Sequence, residues 1–180
     1  MVESQYQLLT RVLQLTHVRG IVGISMGGMQ VFQWITAHPE FMDKAVSIVG
    51  SPQSQTDDLL RWEALIRNVQ ENTTWQRTIA AVRRGEPSAA LYEYRIRTND
   101  HVRQAQAAMA LDVSSAFDGS LERAVAAIRT QLLVVGTMQD REVNNSPAFE
   151  FAWLAKAEAV ELDGRCGHRR RVASAPLCGL

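Results

Sequence analysis

A short apolar run, Gly20-Ile21-Val22-Gly23-Ile24, stops at Ser25, and from Met26 to Ala37 the apolar positions Met29, Val31, Phe32 and Ile35 recur at helical spacing. The run has the character of a strand buried on both faces of a parallel sheet. Gly23-Ile24-Ser25-Met26-Gly27, a G-x-S-x-G, therefore sits where a strand turns sharply into a helix. That turn holds the serine in strained backbone with its hydroxyl exposed. Small residues at Gly23 and Gly27 are expected where strand and helix approach, and Gly28 adds room. Ser25 then lies at a helix N-terminus, and the Met26 N–H faces the place where an oxyanion forms. The alternative is a glycine-rich strand-to-helix turn whose serine is structural.

The rest of the chain continues this alternation. His38-Pro39 closes the helix, and Ala45-Val46-Ser47-Ile48-Val49 is a second buried strand stopped by Gly50-Ser51-Pro52. Upstream, Ser4 and Gln7 fit a capping box for an amphipathic helix over 4–16, with Leu8, Leu9, Val12 and Leu13 on its apolar stripe. Residues 53–128 show helical periodicity in five stretches (59–69, 75–82, 88–95, 102–111, 121–128) and no strand. Strand character returns at Leu132-Leu133-Val134-Val135, Ser146-Pro147 caps a helix running to Leu154, and Ala159 to Leu162 is a last strand before Gly164. The fold class is α/β, a parallel sheet of about four strands interrupted by a helical insertion. Residues 1–52 are the first part of the core, 53–128 a helical cap, 129–168 the second part of the core and 169–180 an irregular tail.

Composition removes several function classes. With 46% hydrophobic residues in 180, the chain builds one domain with a core. Nineteen basic residues balance nineteen acidic ones, so no overall field holds nucleic acid or an anionic membrane. No apolar run approaches the ~20 residues of a membrane span. The start, Met1-Val2-Glu3-Ser4, has no secretory pattern, which makes the cytoplasm the expected location. Cys166 and Cys178 lack CxxC spacing and read as free thiols, and His17, His38 and His101 lack metal-ligand spacing, so no metal is expected. Arg83, Arg84, Arg95, Arg97 and Arg103, interleaved with Tyr92 and Tyr94, offer an RNA-binding face as an alternative to the solvated side of helices.

A serine needs a base, and the base an orienting carboxylate. Asp140 follows the strand that ends at Gly136, and His168 follows the last strand. The order Ser25, Asp140, His168 is that of an α/β-hydrolase, with each residue at the C-terminal end of a parallel strand.

Gly23-Ile24-Ser25-Met26-Gly27-Gly28-Met29-Gln30, with Trp34 and His38-Pro39, resembles the nucleophile region of the homoserine O-acetyltransferase group of α/β-hydrolases. Ala116-Phe117-Asp118-Gly119-Ser120-Leu121, Gln139-Asp140 and Cys166-Gly167-His168 are similar to the segments that carry the acid and the base there. The resemblance implies a partial α/β-hydrolase fold, with Ser25 as nucleophile, Asp140 as orienting acid, His168 as general base and Met26 N–H as one oxyanion donor. It implies serine-dependent acyl transfer or ester hydrolysis on a small ester or thioester, with acetyl-CoA as a candidate acyl donor and no resident cofactor. It also places the second oxyanion donor on a loop upstream of the first helix read here, among strands this sequence does not contain. Hence the competing expectation is a non-catalytic remnant or association module. Either way, self-association through an exposed sheet edge or the cap helices is expected.

Overall fold

The computed structural model describes residues 1–85, 89–163 and 167–169, the side chains of 82, 89–96 and 169 excepted. Cys166, Cys178, Gly164 and the tail beyond residue 169 lie outside this description, and with them the expectation of free thiols. The chain divides into two units, Met1–Ser54 together with the chain from Leu111 onward, and Gln55–Ala110.

The first unit is built on four parallel strands in the order β1 (Val18–Ile24), β2 (Met42–Ile48), β3 (Gln131–Gly136) and β4 (Glu158–Glu161). One face is covered by α2 (Met26–Ala37), α6 (Leu121–Ala127) and α7 (Ser146–Leu154). The apolar positions of α2 close against the sheet: Phe32 and Ile35 are fully buried, and the Phe32 ring meets Phe151 of α7 edge-on at 5.1 Å. Ala45, Leu132 and Val134 supply the sheet side of this core.

The opposite face is different. In-register rows Val22-Val46-Leu133 and Ile24-Ile48-Val135-Val160 run across it. Val22 is 70% exposed and Ile24 45%. The expectation that the first strand is buried on both faces thus gives way at Val22 and Ile24, and among the described residues β1 is an edge strand paired with β2.

The N-terminal segment also departs from its expected form. Helix α1 (Val2–Gln7) starts before Ser4, with Met1 at the N-cap and no capping box, because Val2 is drawn into the core. It continues as a π-helical turn over Leu8–Val12, with Leu13 N–H bonded to the Leu8 carbonyl. The wider turn breaks the 3.6-residue stripe, so Leu9 leans on the core while Leu8, Val12 and Leu13 face solvent. Tyr6 stacks on His38, the ring centroids 3.7 Å apart. Burial lowers the His38 pKa below the ordinary imidazole value, and Glu3 pulls it back up.

The second unit consists of α3 (Thr56–Glu71), α4 (Thr73–Arg83) and α5 (Ala89–Met109), packed on one another. The stretches 88–95 and 102–111, read as two helices, are one, because nothing between them is a glycine or proline. Buried Asp58 in the first turn of α3 accepts the Gln55 N–H at 3.2 Å. Residues 111–128, assigned by periodicity to the helical cap, belong to the sheet unit. Val113 and Ala124 are buried in its core, and an antiparallel bridge joins Gln53 to Asp112 where the insertion leaves and returns. On the helical unit Arg83, Arg84, Arg97 and Arg103 are exposed, and Arg103 bonds Gln106 at 3.0 Å. The side chains of Tyr92, Tyr94 and Arg95 are outside the description.

Candidate active site

Ser25 stands between β1 and α2 with φ 56° and ψ −119°, a conformation that side-chain-bearing residues rarely hold. The turn is fixed from both sides: Ser25 N–H donates to the Ile48 carbonyl at 2.9 Å, and its own carbonyl accepts the Met29 N–H at 2.9 Å. The glycine requirement differs from the one expected. A Cβ at Gly23 would lie 2.1 Å from the Gly27 carbonyl oxygen, and one at Gly28 would lie 2.8 Å from the Ile48 carbonyl oxygen. A Cβ at Gly27 would meet nothing within 4 Å. Close approach of strand and helix thus demands glycine at 23 and 28, while position 27 contributes backbone alone. Met26 opens α2, where the first turn's N–H groups have no partner within the helix.

Asp140 lies in the loop after β3, its side chain fully buried. Its Oδ1 accepts the N–H groups of Glu142 at 2.8 Å and Val143 at 2.9 Å. The other oxygen, Oδ2, is 2.6 Å from Nδ1 of His168. His168 sits in a short 3-10 turn, Gly167–Arg169, its side chain 8% exposed, and its Nε2 is 2.7 Å from Ser25 Oγ. A carboxylate only accepts hydrogen bonds, so the neutral imidazole carries its proton on Nδ1 and leaves Nε2 to accept from the serine hydroxyl.

Ser25 is thereby joined to Asp140 and His168, both more than a hundred positions away in sequence, in one chain of hydrogen bonds. Two further residues contribute: Gly167, read from sequence only as part of Cys166-Gly167-His168, and Glu142, which the sequence reading did not include. Gly167 has φ +49°, and a Cβ there would stand 2.8 Å from the Gln139 carbonyl oxygen, so it lets the histidine turn close on the acid loop. Glu142 brings a second carboxylate oxygen to 3.8 Å from His168 Nε2. The glycine before His168 was a usable signal; Glu142 had none. His17 is engaged elsewhere, with Asp43 at 3.1 Å. Among the described residues no group of three or more His, Cys, Asp or Glu is placed to hold a metal, and no helix is long and apolar enough to cross a membrane.

No family model matches the chain. It superposes on the acetyl esterase MekB with a TM-score of 0.76 at 21% identity, covering 93% of this chain and 60% of that one. The chain has an α/β-hydrolase fold. As a four-stranded α/β-hydrolase sheet with helices, it is a partial version of that fold. Among curated proteins it is 27% identical to a probable acyltransferase of Methanothermobacter thermautotrophicus over 93% of its own length and 60% of the relative's. It is 33% identical over 76 residues to a homoserine O-acetyltransferase of Methanosphaera stadtmanae, 42% of this chain and 15% of that protein. The likeness to homoserine O-acetyltransferases drawn from Ser25-Met26-Gly27-Gly28-Met29-Gln30 is therefore found in the comparisons. The chain spans about three fifths, or less, of the length of these relatives.

Proposed function

We propose that the chain carries a serine-dependent acyl-transfer or ester-hydrolysis site. Ser25 is its nucleophile, His168 its general base, Asp140 the acid that orients the base, and Met26 N–H an oxyanion donor. The observation that carries this reading is the relay of 2.6 Å and 2.7 Å hydrogen bonds from Asp140 through His168 to Ser25 at a strained strand-to-helix turn. His168 Nε2 takes the hydroxyl proton as Ser25 Oγ attacks the carbonyl carbon of a small ester or thioester. The oxyanion forms against the Met26 N–H and the positive end of α2. Collapse breaks the bond to the alcohol or thiol, which leaves with the proton from His168, and an acyl-serine remains. Water or an alcohol such as homoserine then attacks that acyl group with His168 again as base. The bond from the acyl carbon to Ser25 Oγ breaks, the acid or new ester leaves, and His168 returns the proton to Ser25. Acetyl-CoA is the proposed donor, as a substrate and not as a resident cofactor. Support comes from relatives named as an acyltransferase, a homoserine O-acetyltransferase and an acetyl esterase.

Met26 is the single oxyanion donor in this proposal, and a missing donor costs roughly 10² to 10³ in turnover. Hydrolysis of p-nitrophenyl acetate is accordingly expected well below the ordinary range of about 1 to 10³ per second. Turnover inside that range requires a second donor. Release of CoA from acetyl-CoA, followed with and without homoserine, separates the two activities: acceleration by the acceptor supports transfer, and equal rates support hydrolysis.

The bare side of the sheet favours a second reading, an association module. Among the described residues β1 is an open edge strand without proline or lysine, and its own Val22 and Ile24 are exposed. Pairing with a second copy along β1 satisfies the open edge and sets the apolar rows of the two sheets side by side, so sedimentation at micromolar concentration is expected to show species larger than a monomer. Val22→Lys returns the chain toward monomer. A wild-type protein that sediments as a stable monomer rules out this mode.

A further inference from the structure

Asn145 ties off the loop that presents Asp140. It holds the N-cap position of α7, where asparagine commonly caps the helix, yet its side chain makes no cap bond. The side chain is 1% exposed and turned back from the helix. Its Oδ1 accepts the Thr137 N–H at 2.9 Å, while Nδ2 donates to the Val143 carbonyl at 3.2 Å and reaches the Gly50 carbonyl at 3.5 Å. The first two bonds join the two ends of segment 137–143, with Asp140 between them. The third links that segment to the end of β2. Gly50 in turn abuts the elbow helix, since a Cβ there would stand 2.4 Å from the Gly28 carbonyl carbon. Gly136 makes room for the same side chain, for its Cβ would lie 2.9 Å from Asn145 Oδ1.

One buried amide therefore connects the acid loop to the strand and helix that hold Ser25. Both halves of the amide are used, the oxygen as acceptor and the nitrogen as donor. Alanine leaves the buried Thr137 N–H without its acceptor, and aspartate sets a carboxylate oxygen against two carbonyls.

We propose that Asn145 is a positioning residue that sets the place of the Asp140 carboxylate relative to His168 and Ser25. The inference rests on the triad reading above. It is tested with Asn145→Ala and Asn145→Asp, compared with Ala152→Gly as a destabilised control in the core of α7. In each, the rate of Ser25 labelling by a fluorophosphonate, kcat and KM for p-nitrophenyl acetate, and the low-field imidazole N–H proton resonance of the Asp140–His168 bond are measured. The expected result is a tenfold to hundredfold fall in labelling rate and kcat with KM within about twofold, and a weakened or shifted low-field resonance, in both Asn145 variants. Ala152→Gly loses thermal stability and keeps labelling and resonance. Asn145 variants that keep both overturn the proposal, as does a control that loses them equally. A wild-type chain that shows the low-field resonance but does not label at Ser25 defeats the triad reading. The resonance in the Asn145 variants still decides whether the amide positions Asp140.

Discussion

Replacing Ser25 by alanine is expected to abolish covalent labelling by a fluorophosphonate probe, while other serines of the chain stay unreactive. A serine hydroxyl is a weak nucleophile at neutral pH, and reactivity requires a base within hydrogen-bond reach. Ser25 has one, with His168 Nε2 at 2.7 Å and Asp140 behind it at 2.6 Å. Ser47 and Ser51, by contrast, are buried and donate to backbone carbonyls. Asp140→Asn keeps the shape of the acid but allows the wrong imidazole tautomer, a change that costs on the order of 10⁴ in turnover in such triads. His168→Ala removes the base and is expected to be at least as damaging. Mass spectrometry of the labelled peptide is the check. Labelling that persists in Ser25→Ala removes the nucleophile assignment, and a wild-type protein that never labels favours the association module.

The elbow glycines give an expected effect on stability that is just as large and sharply position-dependent. At Gly23 an added Cβ runs into the Gly27 carbonyl at 2.1 Å and the Gly28 nitrogen at 2.8 Å, both backbone, so no side-chain rotation relieves it. Gly23→Val must push α2 away from β1, where Phe32 and Ile35 are buried. A loss of about 3 kcal/mol or more is expected, a large part of a typical domain stability of about 5–15 kcal/mol. Gly27→Ala adds a methyl into open space within a helix and is expected to be neutral or to stabilise by up to about 1 kcal/mol. Urea unfolding followed by circular dichroism compares the two. Equal midpoints for Gly23→Val and the wild type contradict the tight elbow.

Much of this was legible along the chain because it is local. The apolar run 20–24, the helical spacing after Met26 and the breakers Gly50-Ser51-Pro52 mark elements whose periodicity reflects neighbours a few residues away, and β1, α2 and β2 formed close to where that spacing put them. The gathering of Asp140 and His168 beside Ser25 was readable for a related reason. In a parallel sheet the loops after the strands gather at one end, so Asp140 after β3 and His168 after β4 were placed near Ser25 by strand order alone.

Other features depend on contacts between distant segments, and periodicity carries no trace of them. Val2 extends α1 past its capping signal because a core site takes it, and residues 111–128 leave the helical insertion because Val113 and Ala124 fill the sheet unit. The need for glycine at 28 rather than 27 follows from the Ile48 carbonyl, which belongs to the next strand. Asn145, beside a serine and proline that looked like the helix cap, is turned inward by Thr137, Val143 and Gly50. The residues and their order specify which strands, helices and reactive groups exist. Which face of β1 is covered, which glycine is indispensable and what holds Asp140 in place are set by steric and hydrogen-bond demands that arise once separate segments touch.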